Sequence, residues 1–165
     1  MDIDTSIRPV LAIAVSLLAA GAILGFRHLV NLRDAVSVVA AVIKFSIVIS
    51  MAPAVLAGGT YSMTLFTILP GVDFAFRVDS LGMVFATISS LLWIAAAVYS
   101  IGYMRSLKEH AQTRFLVCFA ISLSAAVGGA FAANLFTLVI FYEVLSLITY
   151  PLVYHKETEE SWHGG

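Results

Sequence analysis

Glu143 stands in the middle of an apolar run, eight residues after Leu135 and eleven before Tyr154. At about 1.5 Å per residue, this puts a carboxyl near the centre of a helix long enough to cross a bilayer. A charge at that depth costs on the order of 2.5–3.5 kcal/mol even on insertion scales, and is rarely borne without a partner, a water-filled cavity or a function. Two readings stand: a protonated carboxyl hydrogen-bonded to a neighbouring helix, or a carboxyl that exchanges protons. Hydrocarbon favours a neutral acid and an approaching cation favours the anion, so a moving positive charge would load and unload such a group. Helical spacing places Ser146 and Tyr150 on the face of Glu143, with Thr137 and Thr149 near that side. Hydroxyls so arranged can hold water or pass a proton. Pro151 removes one backbone hydrogen bond and loosens the turn near Leu147, where water could enter.

Lys44 is the second deep charge, nine residues after Ala35 in another apolar run. Its stem is too short to reach an interface from there, so snorkelling explains it poorly. It either pairs structurally, with Glu143 or with a carboxylate on another chain, or serves as a second proton site. The four histidines, His28, His110, His155 and His163, fall in connections or the tail without metal-ligand spacing, and no metal is expected. Nucleotide loops, nucleophile elbows and cofactor ligands are also absent from the sequence, so no cofactor is expected. Cys118 is the only cysteine, which excludes an internal disulfide; in its apolar setting it reads as a packed free thiol.

The elements that must carry these residues follow from composition. Hydrophobic residues make up 61% of the 165 and charged residues 12%, with a mean hydropathy of +0.99. A soluble domain has about twice that charge, so the apolar surface must face lipid. The expected fold is an all-α polytopic membrane protein of about five transmembrane helices, at about 9–26, 35–57, 81–104, 115–132 and 135–154. The acidic start, Met1-Asp2-Ile3-Asp4, is unlike a signal peptide, and the first apolar run is expected to be retained. Ser124, Ala125, Ala126, Gly128, Gly129 and Ala130 make the fourth span small-faced, as close helix packing requires. Trp93, Tyr99 and Tyr103 read as packing and interfacial residues.

The connection from Gly58 to Asp79 differs from the others. Apolar and polar residues roughly alternate on both sides of Pro70-Gly71, the pattern of a β-hairpin with its turn at the centre. Asp73 and Arg77 then share one face, and Val72, Phe74, Phe76 and Val78 the other. Lys and Arg in the short loops set the orientation: Arg8 and Arg77 on the N-terminal side, against Arg27, Arg33, Arg105, Lys108, Arg114 and Lys156 on the opposite side. This predicts the N-terminus and hairpin outside and the C-terminus inside. With a net charge of −1 and no basic arm, nothing points to nucleic acid.

Three stretches together resemble a known family. They are Phe76-Arg77-Val78-Asp79-Ser80-Leu81-Gly82, Tyr99-Ser100-Ile101-Gly102-Tyr103-Met104, and the run from Asn134 through Phe141-Tyr142-Glu143-Val144 to Tyr150. The chain is similar, from about Asp73 onward, to the antiporter-like subunits of respiratory complex I, membrane-bound hydrogenases and Mrp-type sodium/proton antiporters, most of all to the Mrp D-type component. The resemblance implies that Glu143 matches a fifth-helix glutamate required for ion pumping. It implies that Asp79, opening the third span, is structural. Family members have about fourteen helices with inverted repeats, and the lysine that partners the glutamate lies on a later helix, beyond Gly165. Residues 1–165 therefore read as the N-terminal portion of such a protein, either truncated, split, or completed by a second polypeptide. Lys44 has no counterpart in the family pattern.

The expected function is a component of a multisubunit cation/proton antiporter or of a redox-driven proton-pumping complex (NADH dehydrogenase-like or hydrogenase). Its expected partners are other membrane subunits within the bilayer of the cell (inner or plasma) membrane. The alternative is a structural membrane scaffold with no transport of its own.

Overall fold

Along the chain run β1 (Ile3–Thr5), α1 (Arg8–Gly25), α2 (Val30–Leu56), β2 (Thr60–Leu69), β3 (Val72–Val78), α3 (Ser80–Ser106), α4 (Gln112–Ala130) and α5 (Leu135–Val153). The computed structural model describes residues 3–106 and 111–153. Tyr154, Lys108, His110, His155, Lys156 and His163, named above, lie outside them. All five helices are long and apolar enough to cross a membrane, as the composition predicts. Consecutive helices alternate in direction. One end of the bundle therefore holds the sheet, and the other holds the α1–α2 and α3–α4 connections.

The hairpin is present. β2 and β3 pair antiparallel around a turn in which Gly71 adopts φ +87, a left-handed conformation that glycine enters without steric cost. Shifts in register between Thr64 and Phe66 and between Thr67 and Leu69 mark bulges, so facing is less regular than strict alternation predicts. Phe76 and Val78 are buried and Arg77 is exposed, as expected; Ala75, on Arg77's face, is also buried. A third strand is not legible in the sequence. β1 runs parallel to β2, with Ile3 opposite Thr60, which makes the sheet three-stranded. Three residues are too short a run for alternation to signal a strand.

The second helix also starts earlier than expected, at Val30 and not Ala35. The stretch 27–34 has the composition of a basic connection, yet Arg33 and Asp34 are helical and buried. The charges do not stop the helix because they satisfy one another. Asp34 bonds Arg33 at 2.7 Å and Arg105 at 2.6 Å. Arg33 also donates to Thr113 Oγ1 (3.1 Å) and Gln112 Oε1 (3.0 Å), and Arg105 to Asn31 Oδ1 (3.0 Å). Charge-assisted bonds in such a network offset the desolvation of its members. The network ties α2, α3 and α4 together at the end away from the sheet.

Two packed cores fill the bundle. Near the sheet, Met51, Phe76, Val78, Met83, Val127 and Phe131 meet. Deeper, alanines at 19, 20, 40, 41, 97 and 120 surround Trp93. Small residues let the backbones approach, which in lipid substitutes for a hydrophobic driving force.

Candidate functional site

Glu143 rides on α5, and α5 is placed by β3 and α4. Asn134 caps the helix: its Oδ1 accepts the Thr137 N–H at 2.9 Å, while its Nδ2 donates to the Asp73 carbonyl at 2.6 Å. The turn before α5 is stitched to β3 by two backbone bonds, Arg77 N–H to Phe131 O (2.7 Å) and Ala133 N–H to Ala75 O (2.9 Å). Thr137 is buried and accepts the Ala75 N–H at 3.2 Å. This threonine therefore pins α5 to the strand, and, contrary to expectation, its hydroxyl does not join the face of Glu143.

Rotation of α5 is set one turn further on. The Phe141 ring lies in a notch that exists because residue 128 is glycine; a Cβ there would stand 2.4 Å from ring atoms. Phe66, Phe74, Phe76 and Phe141 form a chain of ring contacts with centroids 5.2–5.9 Å apart, linking the hairpin to α5. With Phe141 facing inward, Glu143 must turn away from α4.

Glu143, Ser146, Thr149 and Tyr150 are placed on the outer side of α5, where all four are exposed. In the most apolar part of α5, Leu135–Leu152, only 6% of residues are buried, against 33–44% in the other four spans. The helix is thus an edge element. Glu143 makes no hydrogen bond or ion pair with any described residue. Thr149 spends its hydroxyl proton on the Leu145 carbonyl (2.6 Å). Pro151 lies inside α5, which continues as helix to Val153. Beside this face, an apolar groove of about 530 Å³ separates α3 from α5. Its floor is the small-residue side of α4 (Ala125, Ala126, Gly129 and Ala130), and Tyr142 and Leu145 line its α5 wall.

Asp79 lies at the sheet end of the same groove. Its Oδ1 accepts the Gly82 N–H at 2.8 Å, the bond of a helix N-cap at the start of α3. Gly82 itself allows α3 to cross α4 closely, since a Cβ there would stand 2.7 Å from the Ala130 carbonyl oxygen.

Lys44 occupies the opposite kind of place. It is 0% exposed, near the midpoint of α2. Its Nζ donates to Ser16 Oγ at 2.7 Å and to the Leu123 carbonyl at 3.0 Å, and lies 5.4 Å from the centre of the Trp93 ring. These partners come from α1, α4 and α3. The structure does not bring Lys44 to Glu143: among the described residues the ammonium is satisfied by a hydroxyl, a carbonyl and an indole face, with no carboxylate. Sequence reasoning also misses the burial of Arg33 and Asp34. The signal available is Asp34 adjoining Arg33 in a stretch that lacks glycine and proline.

Comparison with known proteins agrees with the resemblance. Residues 70–116 match the family model described as NADH-Ubiquinone oxidoreductase (complex I), chain 5 N-terminus. The match takes in the first two motif stretches and ends before α5. Over 114 residues the chain is 24% identical to the A/B component of a probable K(+)/H(+) antiporter of Rhizobium meliloti (strain 1021), covering 68% of this chain and 11% of that protein. A chain of the membrane-bound sulfane sulfur reductase, an archaeal respiratory membrane complex, superposes with a TM-score of 0.84 at 16% identity, covering 96% of this chain and 32% of that one. At that identity the likeness is one of fold. The chain spans about a tenth of the curated relative and about a third of the solved chain. Over part of its length the chain thus resembles antiporter and complex I proteins, and the relatives it matches belong to multisubunit membrane assemblies.

Proposed function

We propose that this chain is the N-terminal portion of an antiporter-like component of a cation/proton antiporter or redox-driven proton-pumping complex, and that Glu143 carries protons in it. One observation carries the reading: a carboxyl at mid-span, on the outer face of an edge helix, with no partner among the described residues. A charge left against hydrocarbon there would be costly. A cation presented by a neighbouring helix would relieve it, and movement of that cation would bind and release a proton. Ser146 and Tyr150, on the same outer face, are the groups placed to hold water beside the carboxyl.

In this reading the neighbouring helix belongs to a later segment or to another membrane protein of the complex, and the sheet end faces outward, in agreement with the loop charges. The membrane is the cell's inner or plasma membrane. Lys44 takes the structural role, because its contacts already join four helices. The test is Glu143→Gln in the complete complex reconstituted in vesicles. Ion flux is expected to be lost while assembly persists, and unchanged flux would refute the proton role.

The scaffold reading has one observation of its own: the polar centre of the bundle, at Lys44, is closed and fully engaged. It is favoured if Glu143→Gln leaves transport intact while Lys44 substitutions disrupt assembly.

A further inference from the structure

Among the described residues, Asp79 is the one charged group lining the groove between α3 and α5. It is exposed and has no ion pair among those residues; Oδ1 accepts the Gly82 N–H, the only hydrogen bond of its carboxylate there. Below it the groove is apolar for about two helical turns, roughly 10 Å along α5 from Leu138 to Leu145. We infer that a transmembrane helix of another membrane subunit seats in this groove, with a lysine or arginine opposite Asp79 in the turn nearest the sheet end. The inference rests on reading the chain as a component of a multisubunit complex. It does not rest on proton transfer by Glu143, which does not line the groove.

The shape suits a helix. The floor on α4 is alanine and glycine, short enough for a second backbone to come close, which is how helices associate in lipid. Leu81, 80% exposed, and Phe85 stand on one side, and Tyr142 on the other, so large side chains flank a small-residue floor. The charge selects among occupants. Every phospholipid brings a phosphate to the level of the helix ends, and a carboxylate there repels it. A helix can meet the same carboxylate with a cation, in a charge-assisted pair sheltered by the apolar walls. A second copy of this chain does not supply that cation from its described residues. At the sheet end its basic residues are Arg8 and Arg77. Arg8 is engaged by the Ser50 carbonyl (3.3 Å) and the Tyr61 hydroxyl (3.4 Å), and Arg77 belongs to a strand.

The experiment replaces Leu81 by the photo-crosslinking residue p-benzoylphenylalanine in the full-length protein, within its purified complex, and identifies the adducts by mass spectrometry. The expected adduct is a membrane-spanning segment of a different polypeptide, with Lys or Arg in its turn nearest the sheet end. Its yield should fall on the order of tenfold in Asp79→Asn, which keeps an oxygen for the Gly82 N–H and removes only the charge. Changing the partner's Lys or Arg to Gln should lower it as far, and both changes together little further, as for a direct pair. Ala126→Phe, which fills the floor, should abolish the adduct; if that variant fails to fold, the Asp79→Asn comparison decides. An adduct with phospholipid, with another part of this chain or with a second copy overturns the proposal, and so does a yield indifferent to Asp79→Asn. A protein that purifies without any other membrane subunit sinks the component reading as well, whereas an intact complex without the adduct sinks the docking alone.

Discussion

Lys44 and Glu143 lie at similar fractions of their helices, and the bundle treats them in opposite ways. Around Lys44 four helices converge, its ammonium is met by a hydroxyl, a carbonyl and an indole face, and no surface of the residue remains exposed. Around Glu143 one face of one helix is open, and the carboxyl has no polar partner among the described residues. Sequence depth alone ranks the two charges equally. What separates them is whether the described residues supply the compensation, as they do for Lys44 and do not for Glu143.

The comparison can be broken most forcefully by reversing the charge at the centre. Lys44→Glu sets a carboxylate against the Leu123 carbonyl and should destabilise the bundle by about 3–5 kcal/mol, the cost of leaving a buried charge without its partners. Unfolding in detergent micelles measures it. The milder Lys44→Met sharpens the same point, since normal assembly with lost transport would move Lys44 into the ion path. Glu143→Gln should do the reverse, removing ion flux while shifting stability by less than about 0.5 kcal/mol, as for other exposed sites. A large loss of stability there would mean that the carboxyl is structural.

Smaller effects probe how α5 is held. Gly128→Val drives a branched side chain into the Phe141 ring and should cost about 1–3 kcal/mol, typical of overpacking. It should also weaken transport by turning Glu143 from its position. Asn134→Ala removes the cap of α5 and its link to Asp73, for about 1 kcal/mol. Ser16→Ala, which deletes one of the three contacts of Lys44, should cost least, about 0.6 kcal/mol, the mean for hydrogen bonds between membrane helices. Both can be followed by thermal unfolding of the purified protein.

Much of the architecture is legible in the sequence because lipid imposes simple rules. Long apolar runs mark the five spans, and alternation around Pro70-Gly71 marks the hairpin. The rules fail where charges compensate across helices: Arg33 and Asp34 look like loop residues until Arg105, far along the chain, supplies the second partner. For the candidate site, the position of Glu143 along its helix is legible, and so is the helical face it shares with Ser146 and Tyr150. The direction of that face is not. It depends on a glycine notch for Phe141 and on a threonine pinned to a strand, contacts between residues well separated in the chain. Thr137, six residues before Glu143, stands about 120° away around the helix, which is why it can meet the strand while Glu143 faces outward. Periodicity orders residues around a helix without fixing the helix in its surroundings.

The bonds between β3 and the turn at Phe131–Ala133 carry a consequence for biogenesis. Synthesis proceeds from the N-terminus, so the strand edge offered by Ala75 and Arg77 emerges well before the segment that docks on it. The position of α5, and with it that of Glu143, therefore depends on a strand made earlier in the chain. A lesion in the hairpin should thus surface as a misplaced acid in the membrane, two elements later in the chain.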